Sequence, residues 1–353
     1  MMKGRYIKDW QALKERHLAW WRGEGYLFQI VAPKRAPQYP PAKNLEEYWT
    51  DPEFVVGRWE EYFASTYFLG DAFPYIFVNL GPTIASAYLG CPLIFQNDTT
   101  WQEPIIDDIE QLLNLNFDPN NKWWRRTLEI ISLACQRSQG EYIVSFTDLG
   151  GISDILAHLY GTLNLCIGML EHPDIIKRAI EWVAGFWLKL YEEQYEILRN
   201  YQDGTCGWLA IWAPGKSYPL QEDFSCMISP QMFRDFLLPQ LKRQTEFLDH
   251  SIYHLDGPGA IQHLDALLEL PRLQAIQWVP GAGAPPMREW LPLLKRIQEA
   301  GRNLVLDVTP EDIQPLITNL DIKGLCLRTW CGSKEEAEEL LRSVERRARG
   351  LSP

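Results

Sequence analysis

Short apolar runs alternate with amphipathic, helix-like stretches through the carboxyl-terminal half of the chain. From about residue 205 onward, apolar runs predict strands near 207–213, 251–256, 273–279, 303–308 and 323–330. The stretches between them carry apolar residues at helical spacing and end at glycine or proline signals. This alternation is typical of a parallel sheet whose strands are joined by helical crossovers.

Three further apolar runs, at 26–33, 75–80 and 142–148, bring the expected number of strands to about eight. That number favours an α/β fold of the (β/α)8 TIM barrel type with N-terminal helical additions. An open doubly wound sheet is the alternative, although no strand leads into a dinucleotide-binding or phosphate-binding glycine loop. Because no linker divides the chain, we expect one domain over residues 1–353, with 1–25 as a lead-in helix.

Composition narrows the class of protein. The net charge of −12 and the pI near 5.1 argue against nucleic acid or a membrane surface as a partner, since both attract clustered basic residues. No apolar run reaches the roughly 20 residues that a bilayer requires. The seven cysteines are scattered and suggest no disulfide framework. We therefore expect a cytoplasmic protein with reduced thiols; the sequence leaves its oligomeric state open.

Polar side chains gather where the predicted strands end, which is where barrels of this kind place their active sites. The candidate residues at these ends are Asp148, Trp212, Lys216, Tyr218, His254, Asp256, Gln277, Trp278, Asp307, Arg328, Trp330 and Cys331.

The segment YHLDGPG, residues 253–259, carries the most specific of these candidates. His254 and Asp256 are two residues apart on a predicted strand, so their side chains point to the same face. Gly257 and Gly259 then permit unusual backbone angles and a close approach by a ligand, while Pro258 stiffens the loop. The alternative is that both polar side chains bond to neighbours and the glycines only turn the chain.

Three stretches resemble the uroporphyrinogen decarboxylase-like superfamily: FSCMISPQMFRDFLLPQLKRQ, SIYHLDG and WCGSKEEAEELLRSV. Together with the order of strands and helices, the resemblance covers roughly the C-terminal 60% of the chain. The superfamily includes porphyrinogen decarboxylases and corrinoid-dependent methyltransferases. The arginine-rich segment that decarboxylases carry after the first strand is replaced here by APKRAPQYPP, so the resemblance favours the methyltransferase branch.

In that branch a His-x-Cys-Gly segment and a later Cys-Gly supply zinc ligands. His254 and Cys331 match two of these ligands, whereas Asp256 stands where the first cysteine is expected. The resemblance therefore implies a metal site of His254, Asp256 and Cys331. Zinc accepts such a ligand set, and the carboxylate also suits other divalent metals. The resemblance further implies a corrinoid, carried by a partner protein, as the methyl donor.

Three hypotheses for the function remain open. The first is a metal-dependent methyltransferase-like enzyme that acts on a small molecule. Its catalytic residues would be His254, Asp256, Tyr218 and Asp148, and its substrate-binding residues would be Trp212, Lys216, Gln277, Trp278, Asp307 and Trp330. The second is a metal-free lyase, decarboxylase or hydrolase that uses the carboxylates at the strand ends. The third is a small-molecule binding module without turnover.

Overall fold

A computed structural model describes residues 5–348 of the chain. Strands and helices alternate along it, so the predicted α/β class is confirmed. The predicted domain 1–353 and lead-in helix 1–25 include residues 1–4 and 349–353, which lie outside the described range. Inside that range the lead-in helix, α1, spans Trp10–Trp21 and begins at Asp9, whose side chain accepts a hydrogen bond from the backbone of Ala12.

Eleven strands are present in the described range: β1 (Leu27–Pro33), β2 (Thr66–Gly70), β3 (Tyr75–Ile76), β4 (Leu93–Phe95), β5 (Thr100–Gln102), β6 (Ile143–Val144), β7 (Ser217–Leu220), β8 (His250–Asp256), β9 (Ala275–Val279), β10 (Asn303–Asp307) and β11 (Leu325–Trp330). The remaining α-helices are α2 (Leu45–Thr50), α3 (Pro52–Ala64), α4 (Ala85–Tyr88), α5 (Lys122–Ser138), α6 (Ile152–Tyr160), α7 (Thr162–Glu171), α8 (Pro173–Leu198), α9 (Pro230–Met232), α10 (Leu238–Phe247), α11 (Leu264–Leu268), α12 (Leu291–Glu299), α13 (Pro310–Asn319) and α14 (Lys334–Ala348). No helix in residues 5–348 is both long and apolar enough to cross a bilayer.

Seven strands form one sheet in the order β2-β1-β11-β10-β9-β8-β7. Neighbours in this sheet are parallel, except that β2 runs antiparallel to β1. Strands β3 and β6 form a separate parallel pair, and β4 and β5 form an antiparallel pair. The expected parallel sheet is therefore present, while the hydrogen-bonded ladders of the described strands do not by themselves close a ring.

Alternation along the strands gives one face of the sheet an apolar set and a polar set of side chains. Toward the amino ends of the strands, this face carries the buried apolar residues Leu27, Ile252, Ala275, Val305 and Cys326. Two residues further along each strand, the same face carries Gln29, His254, Gln277, Asp307 and Arg328. Apolar packing thus fills the amino end of the face, and polar side chains occupy its carboxyl end.

The strand predicted at 207–213 is wrong, because the strand of this region is β7, at Ser217–Leu220. The backbone at 207–213 is irregular, and Ala210 has a φ of 52°. Leu209, Ile211 and Ala213 pack into the same buried cluster as Trp20 and Trp21 of α1. The run is apolar because it fills the amino end of the sheet, and we call residues 207–213 the plug segment.

Candidate functional site

Asp223, His254 and Asp256 lie together at the carboxyl ends of β7 and β8. One possible ligand atom from each lies within 4.8 Å of the others. His254 and Asp256 share one face of β8, and Asp223 begins the short helical turn that follows β7. Because β7 and β8 are parallel neighbours, their carboxyl ends meet at the same edge of the sheet. The topology therefore adds a third candidate ligand to the predicted pair, and we call Asp223, His254 and Asp256 the ligand group.

A chain of hydrogen bonds fixes the orientation of His254. Its Nδ1 lies 2.7 Å from Gln277 Oε1, and Gln277 Nε2 donates to Asp307 Oδ2 at 3.0 Å. A carboxylate only accepts, so Asp307 requires the amide NH2 of Gln277 on its side and directs Oε1 toward His254. Since that oxygen also only accepts, His254 Nδ1 carries the proton. The lone pair is on Nε2, which is therefore the nitrogen available to a metal.

Two buried carboxylates position Asp223. Glu222 accepts hydrogen bonds from the backbone N–H groups of Ile152 (3.1 Å) and Ser153 (2.8 Å), at the start of α6. Asp154, in the first turn of α6, accepts from the backbone N–H groups of Asp223 (3.0 Å) and Phe224 (2.7 Å). These reciprocal bonds use N–H groups that a helix start leaves free. They join α6 to the turn that presents Asp223.

The site concentrates carboxyl groups. Burial raises the pKa of Asp148 to about 7, and burial together with the charge of Asp154 raises the pKa of Glu222 to about 8. Although Asp223 is exposed as a residue, loss of surrounding water, followed by the charges of Asp154 and Asp256, raises its pKa to about 8. Carboxylates that raise one another's pKa are stabilised by a cation placed between them.

A cavity of about 1160 Å³ lies over the carboxyl ends of β1, β10 and β11. Residues of α2, α3 and the segment 37–45 cover it, and Asp307, Arg328 and Trp330 line it from the sheet. Its walls are rich in aromatic side chains, among them Tyr39, Tyr48, Phe54, Trp59 and Tyr75. Asp307 belongs both to this cavity and to the hydrogen-bond chain that reaches His254.

Five of the residues predicted from the sequence lie at this edge together with His254. Asp256 is a member of the ligand group, and Gln277 and Asp307 form its hydrogen-bond chain. Asp148 is close enough for its charge to raise the pKa of Asp223. Trp330 ends β11, is 52% exposed and lines the cavity.

Cys331, which the resemblance implied as the third metal ligand, is not a member of the ligand group found in residues 5–348. It follows β11, which two intervening strands separate from β8. Its side chain is buried, its backbone N–H donates to Val31 O at 3.0 Å, and burial raises the pKa of its thiol to about 11. Asp223 stands beside His254 and Asp256 in its place.

Trp212 and Lys216, predicted to bind substrate, precede β7 and so lie toward the amino end of the sheet. The backbone N–H of Trp212 donates to His17 Nδ1 of α1 at 3.1 Å. Lys216 forms an ion pair with Glu192 at 2.6 Å. Both residues were selected because the strand predicted at 207–213 was expected to end near them. That strand was misplaced.

Tyr218 and Trp278 are held by the core. The hydroxyl of Tyr218, a predicted catalytic group, donates to Thr147 O at 2.9 Å and accepts from Leu149 N at 2.8 Å. Trp278, predicted to bind substrate, is fully buried against Trp290, with ring centroids 4.9 Å apart. Successive residues of a strand point to opposite faces. Gln277 therefore faces the polar side chains, and Trp278 faces the core.

Sequence reasoning did not select Asp223, Trp208 or Arg58. Asp223 carried a signal, since the acidic pair Glu222-Asp223 follows the short apolar run 218–220 after a single glutamine. Trp208 belongs to the plug segment, and its ring centroid lies 6.3 Å from that of His254. Arg58 lines the cavity from α3, and only the tertiary structure relates it to the sheet.

No protein-family model and no curated protein matches the chain. Among solved structures, a methyltransferase from Methanosarcina mazei is similar over 95% of this chain and 98% of that chain. The TM-score is 0.60 and the sequence identity is 14%. At this identity the similarity concerns the fold, and the chain has the fold of that methyltransferase.

Proposed function

We propose that the protein is a metal-dependent methyltransferase-like enzyme of the uroporphyrinogen decarboxylase-like superfamily, acting on a small molecule. The observation that carries this proposal is the convergence of Asp223, His254 and Asp256 at the carboxyl edge of a parallel sheet. The fold shared with a methyltransferase and the three sequence stretches that resemble this superfamily support it.

The donor set fits a divalent metal. An imidazole nitrogen and two carboxylate oxygens are ligands that zinc accepts, and they also suit harder divalent ions. His254 Nε2 and one oxygen each from Asp223 and Asp256 would hold the ion, leaving a position for substrate. When bound, such an ion lowers the pKa of a substrate group and so makes it a better nucleophile at neutral pH.

The side chains around the ligands have separate tasks in this proposal. Gln277 and Asp307 keep His254 in the tautomer that binds through Nε2. Asp148, with a pKa raised to about 7, can hold or release a proton near neutral pH. The cavity binds the substrate and excludes water around it. A corrinoid carried by a partner protein is the methyl donor that the resemblance suggests.

We also propose that the two parallel sheets form one (β/α)8 barrel, with β3 and β6 between β1 and β7. The side chain of Tyr218 on β7 bonds to Thr147 and Leu149, which follow β6. On the other side, β2 pairs with the free edge of β1, and Asp71, which directly follows β2, donates its backbone N–H to Phe28 O at 2.8 Å. The gap between β6 and β7 is therefore bridged by hydrogen bonds, and the short segment from Asp71 to β3 connects the β1 side to the second sheet.

A metal-free lyase or hydrolase is the second candidate, and one observation favours it. The pKa values of Asp148, at about 7, and Asp223, at about 8, lie in the range that general acid–base catalysis uses. Such an enzyme would act equally well after treatment with a chelator, whereas the first candidate would lose its activity.

Elemental analysis of the purified protein, reconstituted with zinc, tests the first candidate. We expect about one equivalent of metal per chain, lost in Asp223→Asn and His254→Ala but retained in Cys331→Ala. Metal-dependent consumption of methylcobalamin, followed by its absorbance, then tests methyl transfer. Metal below about a tenth of an equivalent would contradict the proposal. Retention of metal in Asp223→Asn together with its loss in Cys331→Ala would contradict the ligand set.

A further inference from the structure

The cavity contains a guanidinium without an acidic partner. Arg58 lies on α3, is half-buried and lines the cavity. Its Cζ is 3.9 Å from the centroid of the Tyr48 ring and 6.0 Å from that of Phe54. In residues 5–348 no carboxylate forms an ion pair with it. A half-buried charge of this kind is costly unless another group compensates it.

The other charged groups that line the cavity are already paired. Glu61 accepts from Arg35 Nη2 at 3.0 Å and from the backbone N–H of Gln38 at 2.6 Å. Asp307 forms an ion pair with Arg328 at 3.3 Å and accepts from Gln277. These pairs cancel, so the cavity retains one positive charge, within a protein whose net charge is −12.

The shape and walls of the cavity suit a ring. Its volume of about 1160 Å³ exceeds that of a small ion and suits an organic molecule. Aromatic side chains on its walls offer faces and edges against which a planar ring can stack. Arg58 Cζ lies 3.9 Å from the centroid of the Tyr48 ring, and a guanidinium without an ionic partner can bind a carboxylate through two parallel hydrogen bonds.

We infer that the cavity binds a small organic anion in which an aromatic ring carries one carboxylate. Arg58 holds the carboxylate, the aromatic walls hold the ring, and the far end of the ligand points to Asp307 and the hydrogen-bond chain of His254. The statement that this anion is the substrate rests on the proposed function. Its binding does not, because Arg58 is not a metal ligand and binding can be measured without turnover.

Calorimetric titration of metal-free and zinc-loaded protein with 2-naphthoate and 2-naphthamide tests the inference. The two probes share a ring and differ in charge. We expect naphthoate to bind at least about tenfold more tightly than the amide, in both forms of the protein. Arg58→Met removes this preference, and so does Arg58→Gln, which keeps a polar side chain. Arg234→Met, which removes an arginine paired with Glu269 away from the cavity, leaves it unchanged.

Equal affinity for the acid and the amide in the unaltered protein would overturn the inference, as would no binding of either probe. A preference that survives both Arg58 substitutions in folded protein, checked by circular dichroism, would also overturn it. Preferential naphthoate binding in a protein that retains no metal would support the anion site while contradicting the proposed function. The two proposals therefore fail separately.

Discussion

His254 Nδ1 and Gln277 Oε1 lie 2.7 Å apart, and this contact decides which imidazole nitrogen faces the ligand group. Gln277 is in turn oriented by Asp307, which accepts its hydrogen bond and forms an ion pair with Arg328. The ligand group thus depends on residues from three neighbouring strands. A substitution of Gln277 would therefore change the metal affinity through the orientation of His254, while all three candidate ligands remain.

Gln277→Leu should lower the affinity for zinc by about 10- to 100-fold, because His254 loses the bond that fixes its tautomer and ring orientation. Competition with a chelating dye measures the change. The matched control is Gln274→Leu, which lies just before β9 and bonds to Ser251 and Asp249 at the amino end of the strand. Equal affinity in the Gln277 variant and the unaltered protein would contradict the assignment.

Metal affinity should depend on pH through Asp223. With its pKa raised to about 8, this carboxyl group is largely protonated in the metal-free protein at neutral pH, and a metal must displace the proton. Affinity for Co²⁺, followed by its visible absorbance, should therefore rise by up to about tenfold per pH unit from pH 6 and level off above about pH 8. A profile that is flat over this range would show that Asp223 is not a ligand.

Asp148 should make the metal-free protein less stable as pH rises. Its folded-state pKa of about 7 exceeds the ordinary value of 3.8, so the folded state binds the proton more tightly than the unfolded state. The stability it contributes is full below about pH 4 and is lost as pH rises to about 7. Relative to the unaltered protein, Asp148→Asn should gain about 2 to 3 kcal/mol in the free energy of unfolding between pH 5 and pH 8, measured by urea unfolding. No relative change would contradict the raised pKa.

Tyr218→Phe should reduce stability without affecting metal binding. The lost hydroxyl leaves Thr147 O and Leu149 N unpaired in the core, at a cost of about 1 to 3 kcal/mol in the free energy of unfolding. Tyr191→Phe, which removes one bond to Ser217 O, is the control and should cost less. Loss of activity in folded Tyr218→Phe at unchanged stability would instead support the catalytic role that the sequence predicted.

The strands β8 to β11 could be predicted because their apolar runs are short and their ends are marked by polar residues, as at Asp256 and Asp307. The same regularity placed His254 and Asp256 on one face and Gln277 at a strand end. Which face a side chain takes depends only on its place within its own strand. A wrong prediction elsewhere in the chain therefore does not change it.

Strand β7 could not be located because Pro219 lies within it and the plug segment nearby is more apolar. Proline occurs mainly in strands at the edge of a sheet, where β7 lies, so it weakened a correct signal. Because candidate residues were chosen at the ends of predicted strands, the misplacement of β7 left Asp223 out. The cavity was equally out of reach, since it forms only when α2 and α3 fold over the sheet.

The plug segment has a consequence for how two reactants could meet. Leu209 and Ile211 fill the amino end of the sheet, so a ligand cannot reach His254 from that end. In the proposed methyl transfer, donor and acceptor would both approach His254 from the carboxyl end of the sheet and would compete for the same space. Excess substrate would then inhibit the reaction by excluding the donor, which initial rates measured at rising substrate concentration would reveal.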